Sequence, residues 1–215
     1  MTETTGGTTS NPWFSIWVQP RATIQQIIDT HPTRLVLLLA AVAGFSQFLD
    51  RAVMKNLGDR LEWPMIFAIA AVAGPVMGVV GLYIGGALLR WTGGWLGGRG
   101  NPEQVRAAIA WSSVPLIWAL LLWIPELVLF GQDLFTSATP RLDANPLLAV
   151  ALIGFGLVEL TIGIWAIVVF LKCLGQVQGF SAWHALGNAL LAFLILFSVI
   201  LVPTLLIVGF MAWLR

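Results

Sequence analysis

Five long apolar runs restrict what this chain can fold into. They cover roughly residues 34–49, 63–89, 107–130, 147–171 and 188–214, and a helix needs about 20 residues to cross a bilayer core. The chain is 58% hydrophobic and only 10% charged, with a mean hydropathy of +0.88, which excludes a soluble domain. We therefore predict an all-α, polytopic membrane protein with five transmembrane helices and short interfacial amphipathic helices.

The chain divides into three parts. Residues 1–10 are polar, without the basic and apolar blocks of a signal peptide, and predict a disordered N-terminal tail. Residues 11–33 place Ile24, Ile27 and Ile28 at helical spacing. This segment is either an interfacial helix on the cytoplasmic side or a helix packed on the rest of the protein, since both need one apolar face. Residues 34–215 form the transmembrane domain.

A glycine-rich turn follows the second run. It reads GGWLGGRGNP and has no Gly-Lys-Ser/Thr after it and no strand before it, so a phosphate-binding loop is not indicated. Asn101 is predicted to cap, and Pro102 to begin, a new helix. The prolines of the third run, Pro115 and Pro125, predict that its first turns lie along the membrane surface. Residues 179–185 loosely repeat the pattern of a glycine turn and an amphipathic segment.

The basic residues favour one orientation. Six lie on the side of the N-terminus and five on the other, so the positive-inside rule predicts a cytoplasmic N-terminus and a C-terminus across the inner membrane. Arg90, Arg99 and Arg106 flank the glycine-rich turn. They form a candidate surface for anionic lipids or a partner, and a solvated connecting loop is the alternative.

Small residues at helical spacing predict where the helices touch, because Gly and Ala let backbones approach closely in lipid. Gly74 and Gly78 share a stripe of the second run, and Gly156 and Gly163 share a stripe of the fourth. Glu159 lies between the latter two glycines, on a face suited to another helix.

Glu159 is the most informative single residue, because a carboxyl group near mid-bilayer is costly unless it is protonated, hydrogen-bonded or hydrated. It is either an intramembrane proton or cation site, or a neutral acid bonded to a neighbouring span. Ser46, Gln47, Ser112 and Ser113 are candidate partners for such a bond. Glu126 is expected at the membrane interface, at a different depth from Glu159.

No enzyme, metal site or cofactor is indicated. The chain contains no His-Glu-x-x-His or Gly-x-Ser-x-Gly motif, and His31, His184 and Cys173 are too scattered to suggest a metal site. The net charge of +1 does not suggest a nucleic-acid partner.

The chain resembles a known family in three stretches: NPWFSIWVQPRATIQQIID, GGWLGGRGNPEQVRAAIAWSSVP and KCLGQVQGFSAWHALGNAL. Together they are similar to the bacterial branch of the Yip-domain, or Ypt/Rab-interacting, membrane proteins. The resemblance implies five spans and a cytoplasmic N-terminus. It brings no catalytic residue, and a Rab-type GTPase partner is not expected because the long cytosolic N-terminal region of the eukaryotic members is absent.

Two functions follow. The first is a non-enzymatic scaffold or membrane-organising protein that binds lipids, a second copy of itself or another membrane protein. The alternative is a small transporter or channel built around Glu159.

Overall fold

The computed structural model of the protein describes residues 11–213. The predicted disordered tail, residues 1–10, lies outside this range. The helices are α1 (Pro12–Val18), α2 (Pro20–Thr30), α3 (Val36–Met54), α4 (Trp63–Trp95), α5 (Pro102–Ser112), α6 (Val114–Ala119), α7 (Trp123–Phe130), α8 (Pro140–Ala144), α9 (Pro146–Gln178) and α10 (Ala182–Trp213). Short 3₁₀ segments lie at Leu57–Asp59, Leu120–Leu122 and Gly131–Phe135.

The prediction of five spans is confirmed for the part of the chain that the structure describes. Five helical stretches are long and apolar enough to cross a membrane: Val36–Met54, Trp63–Trp95, Pro102–Phe135, Pro146–Gln178 and Ala182–Thr204. The third is a composite in which α5, α6 and α7 follow one another with a 3₁₀ segment between the last two. The protein is therefore an all-α polytopic membrane protein.

Local sequence accounts for several helix ends. Asn101 caps α5, since its Oδ1 accepts from the backbone N–H of Gln104 at 2.8 Å, and the Gln104 side chain accepts in return from the Asn101 N–H at 3.2 Å. Pro102 is the first residue of α5, as predicted. Asn145 caps α9 through the Leu147 N–H at 3.0 Å. Helix α9 ends where Gly179 adopts a φ of 76°.

Helices α3 and α4 meet through glycine backbones. A Cβ built on Gly78 would lie 2.8 Å from the Gly44 Cα and would collide with the Ala40 carbonyl oxygen, and one on Gly74 would lie 2.7 Å from the Phe45 Cα. The two predicted packing residues of the second run thus lie in a helix contact that only a residue without a side chain permits.

The predicted glycine face of α9 is different. A Cβ built on Gly156 or Gly163 would have no neighbour within 4 Å, so neither position contacts another helix within one copy of the chain, contrary to expectation. Of the stripe that includes them, Ala166 is buried. Helical spacing identifies residues that share a face, but it does not determine whether a protein helix covers that face.

The segments predicted to be interfacial take two forms. Helix α2 buries Thr23, Ile24 and Ile27, and packs against α5 and α9, so the packed alternative applies to it. Helix α1 buries Ile16 but leaves Phe14 and Val18 62% and 75% exposed. Its outward side is therefore apolar, as expected of an interfacial helix.

The first turns of the third span do not lie along the surface as predicted. Helix α5 packs against α2, α3, α4 and α9 and is enclosed by them. Its alanines Ala107, Ala108 and Ala110 are buried, and these small side chains allow helices to approach from several directions. The amphipathic pattern therefore marks a helix at the centre of the bundle.

We expect Gly78→Ala to lower stability by about 1–3 kcal/mol, because the new methyl group overpacks a backbone contact. The matched control is Gly85→Ala in the same helix, where a Cβ meets nothing within 4 Å. This control should be neutral or slightly stabilising, since alanine favours helix more than glycine by about 1 kcal/mol. Thermal unfolding in detergent measures both, and equal effects of the two variants would contradict the packing role.

Candidate functional site

Several helix ends meet at one end of the bundle, which we call the N-terminal end. It contains α1, α2, the beginning of α3, the α4–α5 turn and the α9–α10 turn. The Arg99 N–H donates to the Gln178 carbonyl oxygen at 3.1 Å, which joins the two turns. The Gln176 side-chain amide donates to Gln25 at 3.0 Å, which joins α9 to α2.

Three buried polar side chains lie beneath these turns. Thr92, Gln178 and Asn188 are 0%, 1% and 0% exposed, and we call them the polar node. The side-chain amides of Gln178 and Asn188 both donate to the Leu89 carbonyl oxygen, at 3.1 and 3.0 Å. Gln178 also accepts from the Gly100 N–H at 3.2 Å. The Thr92 hydroxyl lies within hydrogen-bond distance of the Asn188 Oδ1.

The polar node explains the glycine-rich turn. A Cβ on Gly93 or Gly98 would overlap the Gln178 side-chain amide. The glycines therefore admit a side chain from α9, and the turn is neither a phosphate cradle nor a freely solvated loop. The node was not predicted from the sequence. The available signal was the presence of Gln178 and Asn188 in apolar surroundings, where a polar residue needs a partner.

The three predicted arginines do not lie in equivalent positions. Arg90 and Arg99 are exposed. Arg106 is partly buried, with its guanidinium 4.9 Å from the centroid of the Tyr83 ring, a cation–π distance. Its stem lies over Gly86, where a built Cβ would be 3.0 Å from the Arg106 Cγ. Arg106 thus packs on α4, which the sequence did not indicate because the contact joins two helices.

Exposed tryptophans lie at the same end of the bundle as the two exposed arginines. Trp91 and Trp95, on the last turns of α4, are 53% and 57% exposed with ring centroids 4.8 Å apart, and Trp183 at the start of α10 is 81% exposed. We call Arg90, Trp91, Trp95, Arg99 and Trp183 the arginine–tryptophan surface. Its residue types are those enriched where helices leave a membrane.

Glu159 lines a cleft with two further acids. The cleft has a volume of about 350 Å³, and Asp50 of α3, Glu126 of α7 and Glu159 of α9 all line it. Glu126 is only 5% exposed. Among the described residues, none of the three carboxyl groups has a hydrogen-bond or ion-pair partner. We call this group the acidic cleft.

Two expectations about these acids are wrong. Glu126 does not lie apart from Glu159, because both side chains line the same cleft, together with Leu134 of the segment after α7. Asp133 holds that segment in place by accepting from the Arg141 N–H at 2.8 Å. Among the described residues, none of the four candidate partners hydrogen-bonds to Glu159. The Ser112 and Ser113 hydroxyls donate to the Ile109 and Ala110 carbonyl oxygens of α5, and Ser46 is buried on α3. Gln47 lines other cavities.

The cleft does not have the geometry of a metal centre. Within residues 11–213, no group of three His, Cys, Asp or Glu side chains could hold a metal ion. Cys173 is buried, with its thiol 3.7 Å from the Pro20 carbonyl oxygen, and His184 pairs with Ser181. The arrangement of the acids suits the binding of a proton or a hydrated cation better than direct coordination of a metal ion.

A known family matches the region of the chain that contains all of these features. The model of the Yip1 domain matches residues 14–213. The chain belongs to the Yip1-domain family. The match confirms the resemblance drawn from the three sequence stretches. Comparisons with curated proteins and with solved structures find no match.

Membership gives the function in outline. The Yip1-domain family is a family of membrane proteins and is not a known enzyme family, so membership and the five spans together indicate a role at a membrane. The polar node, the arginine–tryptophan surface and the acidic cleft all lie within the matched residues of this Yip1 domain.

We expect Gln178→Leu to lower the stability of the Yip1 domain by about 1–3 kcal/mol, because the buried Gly100 N–H would lose its acceptor. Hydrogen exchange at residues 96–101 should accelerate. Gln176→Leu is the control, because it removes only a partly exposed bond to Gln25. The role of the node is refuted if residues 96–101 exchange at the same rate in Gln178→Leu as in the wild type.

Proposed function

We propose that this Yip1-domain protein is a non-enzymatic membrane-organising scaffold that binds anionic lipid headgroups at its N-terminal end. The arginine–tryptophan surface carries the proposal, since three exposed indole rings and two exposed guanidinium groups lie at the same end of the bundle, with the Trp91 and Trp95 rings in contact. Indole rings favour the headgroup region. Each arginine near an anionic surface contributes about 1 kcal/mol of attraction.

Two other features support this role. The polar node fixes the turn that carries Arg99, so the surface loses little conformational entropy when lipid binds. Helix α1 offers Phe14 and Val18 to the same side of the membrane. We place this end at the cytoplasmic face of the inner membrane, because the count of basic residues favours it.

The scaffold also needs partners. We propose that the open face of α9 at Gly156 and Gly163 packs against a second copy or another membrane protein, because small residues permit close helix approach in lipid. A Rab-type GTPase and nucleic acid have no place in this proposal.

We expect the double variant Arg90→Gln, Arg99→Gln to bind phosphatidylglycerol roughly fivefold more weakly per arginine removed. Native mass spectrometry of the detergent-purified protein counts bound phosphatidylglycerol, with phosphatidylcholine as reference. Arg60→Gln, Arg141→Gln is the matched control, because it removes the same charge from the opposite end. Equal losses in both double variants would refute the surface. Arg106 is left unchanged because it packs on Tyr83.

A second candidate function is proton or cation transport through the acidic cleft. The observation that favours it is the convergence of three unpartnered carboxyl groups from three helices on one space within the spans. Ionisable groups inside a membrane mark ion pathways, because their burial is otherwise costly. In this role Glu159 and Glu126 exchange the proton or cation, and Asp50 lies beside them.

Transport predicts that proteoliposomes of the wild type dissipate an imposed proton or sodium gradient faster than protein-free vesicles. Glu126→Gln and Glu159→Gln should each lower that rate at least tenfold, about 1.4 kcal/mol in the barrier, with normal folded yield. Glu103→Gln, an exposed acid at the other end of the third span, is the control. If vesicles with wild-type protein dissipate the gradient no faster than protein-free vesicles, transport is rejected. If Glu159→Gln lowers only the yield of folded protein, Glu159 has a packing role.

A further inference from the structure

A second cavity opens at the N-terminal end, between α1, the end of α2 and the start of α3. Its volume is about 420 Å³, and its walls include Trp13, Gln26, His31, Arg34, Leu35 and Trp111. We call it the α2–α3 pocket. It is separate from the arginine–tryptophan surface, with which it shares no lining residue.

Three polar side chains of this pocket, Gln26, His31 and Arg34, have no hydrogen-bond partner among the described residues, whereas the Thr30 hydroxyl donates to carbonyl oxygens of α2. Among the described residues, no acidic side chain lines the pocket. A guanidinium, an imidazole and an amide therefore line the same space, and no group in the described part of the chain uses their hydrogen-bonding capacity. Such a set favours an anionic acceptor.

Trp111 adds an independent observation. It is 3% exposed and lines the pocket. Among the side chains that the structure describes, its indole Nε1 is the one buried nitrogen or oxygen without a hydrogen-bond partner. A buried donor in this state costs free energy. A ligand oxygen beside Trp111 would give this N–H the acceptor that the described residues do not supply.

The start of α3 adds positive potential. Leu35, which lines the pocket, adopts a φ of 59° at the N-cap position, and no side chain caps the helix. The Val36 N–H donates to the Thr33 carbonyl oxygen at 3.4 Å, and the N-terminal end of α3, where the helix dipole is positive, follows directly after Leu35 of the pocket wall.

We propose that the α2–α3 pocket binds the phosphate of one anionic phospholipid. Arg34 pairs with the phosphate, and His31, Gln26 and Trp111 donate to its oxygens. Arg34 lies two residues before a membrane span, at headgroup depth. The apolar walls formed by Trp13, Ile27 and Leu35 accept the glycerol backbone and the first acyl-chain atoms, whereas a free phosphate would leave these walls without a contact. This inference rests on the proposed lipid-binding function and adds a specific site to it.

The test measures the dissociation constant of the first bound dioleoyl phosphatidylglycerol on full-length protein in detergent, by native mass spectrometry. We expect Arg34→Gln to weaken it at least tenfold, because a charge-assisted pair is lost. Trp111→Phe, which keeps an aromatic ring but removes the N–H, should weaken it severalfold. Arg34→Lys should retain part of the affinity. Arg21→Gln, an exposed arginine at the same end that does not line the pocket, is the control and should not change it.

The outcomes separate this site from the surface proposed above. If the dissociation constant of the first lipid is the same in Arg34→Gln as in the wild type, the pocket is refuted. This holds whatever effect the double variant Arg90→Gln, Arg99→Gln has on the lipids that bind later. If only the first lipid is lost in Arg34→Gln and the double variant binds normally, the pocket stands and the surface fails. Displacement of the lipid by millimolar inorganic phosphate or glycerol 3-phosphate would identify a soluble phosphate site and overturn the lipid assignment.

Discussion

Close backbone approach between α3 and α4 is the contact on which the bundle depends. In lipid, an apolar side chain gains little by exchanging a hydrocarbon tail for another helix, so association requires tight packing or hydrogen bonds. Gly44, Gly74 and Gly78 supply the packing, because each faces backbone atoms of the other helix at distances that exclude a Cβ. The polar node supplies the hydrogen bonds, and it joins α4 to α9 and α10. Helix α5 can then lie between these elements.

The polar node and the acidic cleft differ in how completely their polar atoms are hydrogen-bonded. In the node, Gln178 and Asn188 each have partners at 3.2 Å or less, so burial stabilises one arrangement of the turns. In the cleft, the carboxyl groups of Asp50, Glu126 and Glu159 have none among the described residues. Unsatisfied polar groups lower stability and persist where they serve function. The node is therefore a structural element, and the cleft is the feature that fits the second candidate function, transport.

Features set by neighbouring residues were predictable, and those set by distant ones were not. The spans follow from apolar length, and the start of α5 follows from Asn101 and Pro102, because each signal acts within a few residues. In the sequence, Gly74 and Gly156 each belong to a stripe of small residues, although Gly74 packs on another helix and Gly156 does not within one copy. Only the presence or absence of another helix separates them. The contact of Arg106 with Tyr83 was not predictable for the same reason, since Tyr83 lies on a different helix.

The uneven burial of the spans connects the cleft to assembly. None of the most apolar stretch of α9 is buried within one copy, whereas 44% of the corresponding stretch of α3 is. Gly156 belongs to this open stretch and also lines the acidic cleft. A second copy that packed on Gly156 would therefore also narrow the cleft beside Glu159. Water would leave the carboxyl groups, and their interaction with a proton or cation would strengthen as the local dielectric fell. In such a homo-oligomer, assembly through α9 and occupancy of the acidic cleft would be thermodynamically coupled, each favouring the other.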